Sequence, residues 1–135
     1  MRKLSLYACI TGLILTLSLF CSVAVSYAVT TSGSLVVDEV WSGTINLTGD
    51  VTVPQGVTLT IEAGTEVVFP AESDDTAGGH DTALTELIVN GSLVAVGTEG
   101  SPILFTSGAF FFDSKGDWGG IRINPREDVV LRYCT

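Results

Sequence analysis

Apolar and polar residues alternate along most of the chain after residue 28. From Leu35 onward, apolar side chains recur at every second position in short runs, and glycine, proline or asparagine bounds each run. A period of two places successive side chains on opposite faces of an extended strand. The pattern therefore predicts an all-β chain of short, half-buried strands, with almost no helix after residue 28. The clearest runs hold Val51 and Val53, then Val57, Leu59 and Ile61, then Val67 and Phe69.

Turn signals separate these predicted strands. Proline fixes φ, and glycine and asparagine accept the positive φ that a tight reversal needs. Because such signals are frequent, each predicted strand is only a few residues long. The signals are PQG at residues 54–56, AG at 63–64, NG at 90–91 and GSP at 100–102.

The chain also repeats itself. The segment IEAGT at residues 61–65 is echoed by VAVGT at residues 94–98, and VVF at residues 67–69 corresponds to ILF at residues 103–105. Without the polar stretch at residues 70–83, the spacing of the echo falls to about nineteen residues, which is close to one coil of a β-solenoid. Repeated units with insertions on a common side favour a solenoid over a β-sandwich, which is the alternative fold.

Four segments carry a resemblance to a known family. They are GVTLTIEAGT at residues 56–65, LIVNGSLVAVGT at 87–98, PILFTS at 102–107 and GDWGGI at 116–121. Together they resemble the N-terminal coils of right-handed parallel β-helix proteins of the pectin-lyase-like superfamily. The resemblance implies a partial parallel β-helix from a secreted or surface protein, and it is specific for the architecture rather than for an activity.

The first 28 residues have the layout of a cleavable secretory signal. Arg2 and Lys3 form a basic start, and an uncharged, leucine-rich run follows at residues 4–25. The run is long enough to cross a bilayer as a helix, but small residues precede a cleavage position after Ala28. We therefore predict a signal helix at residues 1–28, no membrane span after its removal, and a secreted, periplasmic or cell-surface protein.

The remainder divides into a cap and a stack of coils. We predict that residues 29–47 form an N-terminal cap with the first strand, and that residues 48–135 form β-helix coils that are incomplete at the C-terminus. Residues 129–135 resemble the start of a further coil. An unpaired strand edge invites association, so we expect self-association through this edge, or a chain that is the opening segment of a longer protein.

Charge and cysteine content exclude several classes of protein. Removal of residues 1–28 takes away two of the six basic residues and none of the fifteen acidic ones, so the formal charge changes from −9 to −11. Such a field repels phosphate backbones, so we expect no nucleic-acid partner. Only Cys134 of the three cysteines remains, so no intramolecular disulfide can form and the domain depends on its hydrophobic core.

The most acidic stretch, at residues 72–81, is the first candidate site. It holds four carboxylates, the only histidine and two glycines. Oxygen ligands from several acids suit Ca²⁺, so we consider Asp74, Asp75 and Asp81 as calcium ligands. The alternatives are a plain solvated insertion and a transition-metal site that uses His80.

The second candidate site is the segment around Trp118. An indole ring can stack on a sugar ring, and the neighbouring Asp117 carboxylate can accept hydrogen bonds from sugar hydroxyls. The competing interpretation is structural, with Trp118 packed over the preceding turn at the beginning of a new coil.

The function that these features favour is a non-enzymatic extracellular or cell-surface module. We expect a structural or carbohydrate-interacting role, with a polysaccharide or the cell-wall surface as partner and no cofactor apart from calcium. In lyases of the superfamily, catalytic arginines and calcium-binding aspartates lie on middle coils, and this chain has no motif onto which they can be placed. The alternatives are the N-terminal part of a secreted polysaccharide lyase or glycoside hydrolase, and a calcium-dependent adhesin.

Overall fold

The computed structural model describes residues 29–110, 114–124 and 128–135. The predicted signal helix at residues 1–28 lies outside the described residues, so the signal and its cleavage stay predictions. In the described part of the chain, no helix has the length and apolar character needed to cross a membrane.

The described residues form eleven short strands and no helix, as the alternating pattern predicts. Three strands make up one coil, and a fourth coil begins with the last two. The strands are β1 (Gly33–Ser34), β2 (Glu39–Trp41), β3 (Thr44–Asn46), β4 (Val51–Val53), β5 (Thr58–Ile61), β6 (Glu66–Phe69), β7 (Glu86–Val89), β8 (Ser92–Val96), β9 (Leu104–Ser107), β10 (Gly120–Ile123) and β11 (Val129–Arg132).

Strands from successive coils pair with one another and form three sheets in the described residues. The first sheet has the order β1-β4-β7-β10, the second β2-β5-β8-β11 and the third β3-β6-β9. Every strand pair among them is parallel. A β-sandwich is built from antiparallel sheets, so the alternative fold is wrong and the predicted right-handed parallel β-helix is confirmed.

The core consists of inward side chains that stack from coil to coil. Backbone hydrogen bonds run between coils, so residues at the same register position lie directly above one another. Full burial of each such Val or Leu contributes roughly 1.5–3 kcal/mol. Three of these fully buried stacks are Val51 on Leu87, Val53 on Val89, and Leu59 on Leu93.

The hydrogen-bonded register differs from the alignment that the sequence echo gives. Ile61 pairs with Ala95 rather than with Val94. A slip of one residue would move an inward side chain to the outer face, and Ala95 is fully buried whereas Val94 is only half-buried. Likewise, Val67 pairs with Phe105, two positions beyond the residue that the echo assigns to it.

Glu39 connects the beginning of the described chain to the first coil by hydrogen bonds. Its carboxylate accepts hydrogen bonds from the backbone N–H and the hydroxyl of Thr30, and from the indole N–H of the fully buried Trp41. Residues 29–47 are predicted as a cap with the first strand. In the structure they contain the three short strands β1, β2 and β3, which make up one coil.

The corner between β7 and β8 requires a glycine because of a close backbone approach. A Cβ atom on Gly91 would lie 2.5 Å from the carbonyl oxygen of Val57, and closer still to the carbonyl oxygen of Pro54. Both obstacles are backbone atoms of the coil above, so neither can move without disturbing the ladder. The predicted turn at residues 90–91 is thus also a point of contact between coils.

We expect Gly91→Ala to lower the free energy of unfolding by about 3 kcal/mol, because the added methyl group overlaps backbone that is fixed by hydrogen bonds. Gly100→Ala is the matched control, since a Cβ atom there meets nothing within 4 Å and should change stability by less than about 0.5 kcal/mol. Urea unfolding of both variants measures the difference. Equal stability would contradict this tight corner.

Candidate functional site

Two acidic residues stack on each other at the corner that precedes the first sheet. Asp50 lies immediately before β4, and Glu86 is the first residue of β7. Val51 pairs with Leu87. Asp50 and Glu86 directly precede these two residues, so the two acids occupy equivalent positions in adjacent coils. The regular stacking of a β-helix therefore brings two carboxylates together in the protein interior.

Asp50 is buried and only partly hydrogen-bonded. Its residue is 4 % exposed, and its Oδ1 accepts a 2.7 Å hydrogen bond from the backbone N–H of Glu86. Its Oδ2 is also buried and has no hydrogen-bond partner among the described residues. Burial raises the pKa of Asp50 above its ordinary value, the nearby Asp74 and Glu86 charges add to this effect, and the Glu86 N–H and the Thr76 hydroxyl oppose it.

Glu86 has partners for both oxygens although it is 1 % exposed. Its Oε2 accepts a 2.7 Å hydrogen bond from the backbone N–H of His80, and its Oε1 forms a 3.3 Å ion pair with Nη1 of Arg122. The Arg122 side chain is 46 % exposed. A half-exposed guanidinium therefore offsets the charge of this buried carboxylate.

Asp74 organises the insertion between β6 and β7. Its Oδ1 accepts hydrogen bonds from the backbone N–H of Asp50 and from both the N–H and the hydroxyl of Thr76, and its Oδ2 accepts one from Gly78. Partial burial raises the pKa of Asp74, but these hydrogen bonds outweigh it and hold the pKa below its ordinary value. The insertion is thus tied to the corner before β4.

Gly79 closes the insertion over the two stacked acids. Its φ is +62°, a conformation that residues with a side chain rarely adopt. A Cβ atom there would lie 3.1 Å from Asp50 Oδ2 and would overlap Glu86 Oε2. A glycine at this position therefore lets the backbone pass directly over both carboxylates.

The structure does not gather the three predicted calcium ligands around one point. The oxygens of Asp74 accept the hydrogen bonds described above, Asp75 is exposed, and Oδ1 of Asp81 accepts a 3.0 Å hydrogen bond from the N–H of Ala83. Within the described ranges, no group of three or more His, Cys, Asp or Glu residues is arranged to hold a metal ion. The structure thus identifies no metal ligand among the three, and calcium binding here stays a prediction.

Trp118 and Asp117 make structural contacts at the beginning of the fourth coil. The indole of Trp118 stacks on the fully buried Phe69, with ring centroids 3.9 Å apart and an angle of 18° between the planes. One carboxylate oxygen of Asp117 accepts hydrogen bonds from the Ser107 hydroxyl and the Ser114 N–H, and these bonds lower the pKa of Asp117. A sugar would have to stack on the indole face opposite Phe69, so carbohydrate binding by this pair stays a prediction.

An open groove lies along β7 and β10 of the first sheet and has a volume of about 470 Å³. Ile88 and Arg122 pair in register on β7 and β10 and line it together. Asn90 and Asn124 follow the ends of those strands, and Ile123 completes the lining. The groove combines apolar side chains with amide and guanidinium groups, which suits a ligand rich in hydroxyl groups.

Sequence reasoning did not single out Asp50, Glu86 or the groove. Asp50 follows a glycine at a turn, where an acid is usually solvated, and Glu86 begins a strand whose apolar pattern starts one residue later. The signal that could have found them is their shared register position, since Asp50 and Glu86 each directly precede a paired inward residue. That signal requires the correct register between coils.

Comparison with known proteins identifies the type of domain. A model of the pectate-lyase-like beta helix domain matches residues 30–129. A search of curated proteins found no match, and a search of solved structures found none either. The matched region runs from the segment ahead of β1 to the first residue of β11, so it includes the stacked acids, the insertion and the groove.

We expect Asp74→Asn to lower the free energy of unfolding by about 2 kcal/mol at neutral pH, because an amide oxygen is a weaker acceptor than an ionised carboxylate and the amide NH2 group cannot accept the second set of hydrogen bonds. The folded-state pKa of Asp74 lies below its unfolded value of 3.8. The stabilisation is therefore present above pH 3.8 and is lost as the pH falls through the folded-state pKa. Unfolding measured across this range should show the two proteins converging in acid.

The control for this experiment is Asp75→Asn, which changes an exposed neighbour in the same insertion. It should match the wild-type protein at every pH. A difference between Asp74→Asn and wild type that persists unchanged in strong acid would show that the charge of Asp74 is not what organises the insertion.

Proposed function

The chain belongs to the pectate-lyase-like β-helix domain family, and from this premise we propose that it is an extracellular, non-enzymatic module that binds carbohydrate through its first sheet. The observation that carries the proposal is the open groove along β7 and β10 of that sheet. Its lining places Ile88 beside the Arg122 guanidinium and the Asn90 side chain. Apolar contact with a few directed polar groups is the usual composition of a small-molecule site.

The charge of the groove favours a neutral polysaccharide as the ligand. Arg122 is paired with Glu86, so its positive charge is already offset. A guanidinium has five N–H donors in a fixed fork, so it can hold one carboxylate and still donate to a sugar hydroxyl. The formal charge of −9 for the whole chain, which becomes −11 without residues 1–28, disfavours the approach of an anionic polymer.

Export is part of the same proposal. The basic start, the long uncharged run and the small residues before the cleavage position support a secretory signal at residues 1–28. Extracellular polysaccharide or the cell-wall surface is then the partner that such a module meets.

A second candidate function is the N-terminal part of a secreted polysaccharide lyase or glycoside hydrolase. The description of the matching family, a pectate-lyase-like domain, favours it. Fold alone does not carry an activity, so the two functions have to be separated by assay.

Binding to a panel of neutral and acidic polysaccharides tests the proposal. We expect the protein to bind a neutral polysaccharide, and we expect Ile88→Ala to weaken that binding about fivefold, which corresponds to about 1 kcal/mol of lost apolar contact. Isothermal titration measures both affinities. Arg122 is left unchanged in this test because it also neutralises buried Glu86.

Val94→Ala is the matched control. Val94 is a half-buried, outward residue on β8 in the same coil, and it does not line the groove. It should leave the affinity unchanged. Equal losses in both variants would remove the groove as the binding site, and new reducing or unsaturated sugar ends produced by the protein alone would favour the enzyme.

A further inference from the structure

The corner before the first sheet holds more negative charge than its partners offset. Asp50 is faced by Glu86 from the next coil and by Asp74 from the insertion. The insertion also brings His80, whose backbone N–H binds Glu86, and β10 brings Arg122. Three carboxylates therefore face one guanidinium at this corner, while the imidazole side chain of His80 is exposed.

The three carboxylates are not equally well stabilised as anions. Glu86 has the ion pair with Arg122 and a backbone N–H. Asp74 has hydrogen bonds to both oxygens. Asp50 alone has a buried oxygen, Oδ2, without a partner among the described residues. A buried and unpaired anion is costly, and a carboxyl group in that position takes up a proton instead.

A proton on Asp50 would remove this conflict. A neutral carboxyl group carries no charge, so the buried Oδ2 no longer belongs to an anion that lies close to the carboxylates of Asp74 and Glu86. We propose that Asp50 carries a proton in the folded protein, and that this proton keeps the insertion between β6 and β7 closed over the corner of the helix.

The insertion is the part of the molecule that this proton controls. The backbone of residues 78–80 lies over the pair, because Gly79 approaches both carboxylates and His80 donates to Glu86. When the proton leaves, two adjacent buried anions repel each other. Opening of the insertion at Gly79 admits water to both carboxylates, so the insertion is closed in acid and opens more readily as the pH rises.

The sign of the effect distinguishes Asp50 from ordinary acids. Its folded-state pKa lies above the unfolded value of 3.8. Its stabilising contribution is therefore complete below pH 3.8 and is lost as the pH rises through the folded-state pKa. Asp74 and Asp117, whose pKa values are lowered, lose their contributions in the opposite direction.

The test compares the intact protein with Asp50→Asn, which mimics the protonated acid at every pH. We expect the difference in melting temperature between variant and wild type to be small at roughly pH 4 and to grow in favour of the variant up to about pH 8. Asp75→Asn, an exposed acid of the same insertion, is the matched control and should show a constant difference. A constant difference for Asp50→Asn as well would overturn the proposal.

Hydrogen exchange of the backbone N–H groups of Gly78 and His80 follows the insertion itself. Each pKa unit of penalty corresponds to about a tenfold change in an equilibrium constant. We therefore expect about tenfold more opening at high pH in the wild-type protein for each unit, after correction for intrinsic exchange, and no such increase in Asp50→Asn. Equal opening in both proteins would contradict control of the insertion by this proton.

Two further measurements keep the proposal falsifiable if the variant does not fold. In the wild-type protein, the carboxyl ¹³C resonance of Asp50 should titrate with a midpoint above 3.8, whereas a midpoint at or below 3.8 would overturn the proposal. Calcium at pH 8 should not stabilise the corner. Stabilisation of the wild-type protein by calcium that EGTA reverses, together with a calcium-dependent shift of the Asp50 carboxyl resonance, would show that a cation rather than a proton occupies it.

Discussion

The hydrogen-bonded ladder between successive coils is the constraint on which the rest of this molecule depends. Each strand is two to five residues long and could not be stable alone. The backbone N–H and C=O groups of a strand find their hydrogen-bond partners in the coils before and after it. These hydrogen bonds fix the register, and the register places apolar side chains on apolar side chains of the next coil. Buried Leu59 lies on Leu93, and Val51 lies on Leu87, so one repeating pattern builds both the backbone ladder and the core.

The same register between coils also brings buried polar groups together. Residues at or just before the first position of the strands in the first sheet also stack, and two of them, Asp50 and Glu86, are buried acids. The coil cannot rotate to expose them without moving the inward residues that follow. The molecule compensates with Arg122 from the next coil and with an insertion whose N–H groups and Asp74 surround the corner. The insertion between β6 and β7, whose sequence also suits a solvated loop, is therefore part of the folded structure.

The sequence predicts the fold well and the site poorly, for a physical reason. A period of two reports which face of a strand is buried, so alternation at positions such as Leu59 predicts strands, and repetition of the turns predicts stacking. Neither signal fixes register, because turns of different length displace similar segments, as the pairing of Ile61 with Ala95 shows. The burial of Asp50 and Glu86 follows only from register between coils. The sequence marks Trp118 as a candidate for sugar stacking because it is aromatic. Its stacking on Phe69 depends on contacts between distant segments, which the local pattern does not report.

A disulfide cross-link between outward residues of β5 and β8 tests the coil register most directly. Thr60 pairs with Val94 in the structure, and paired residues on one face lie within the roughly 4.4–6.8 Å between Cα atoms that a disulfide spans. With Cys9, Cys21 and Cys134 all replaced by serine, Thr60→Cys combined with Val94→Cys should oxidise readily. Thr60→Cys combined with Val96→Cys, two residues further along the same face, should not. Equal or reversed cross-linking would contradict the stacked register on which the core, the acid pair and the groove all depend.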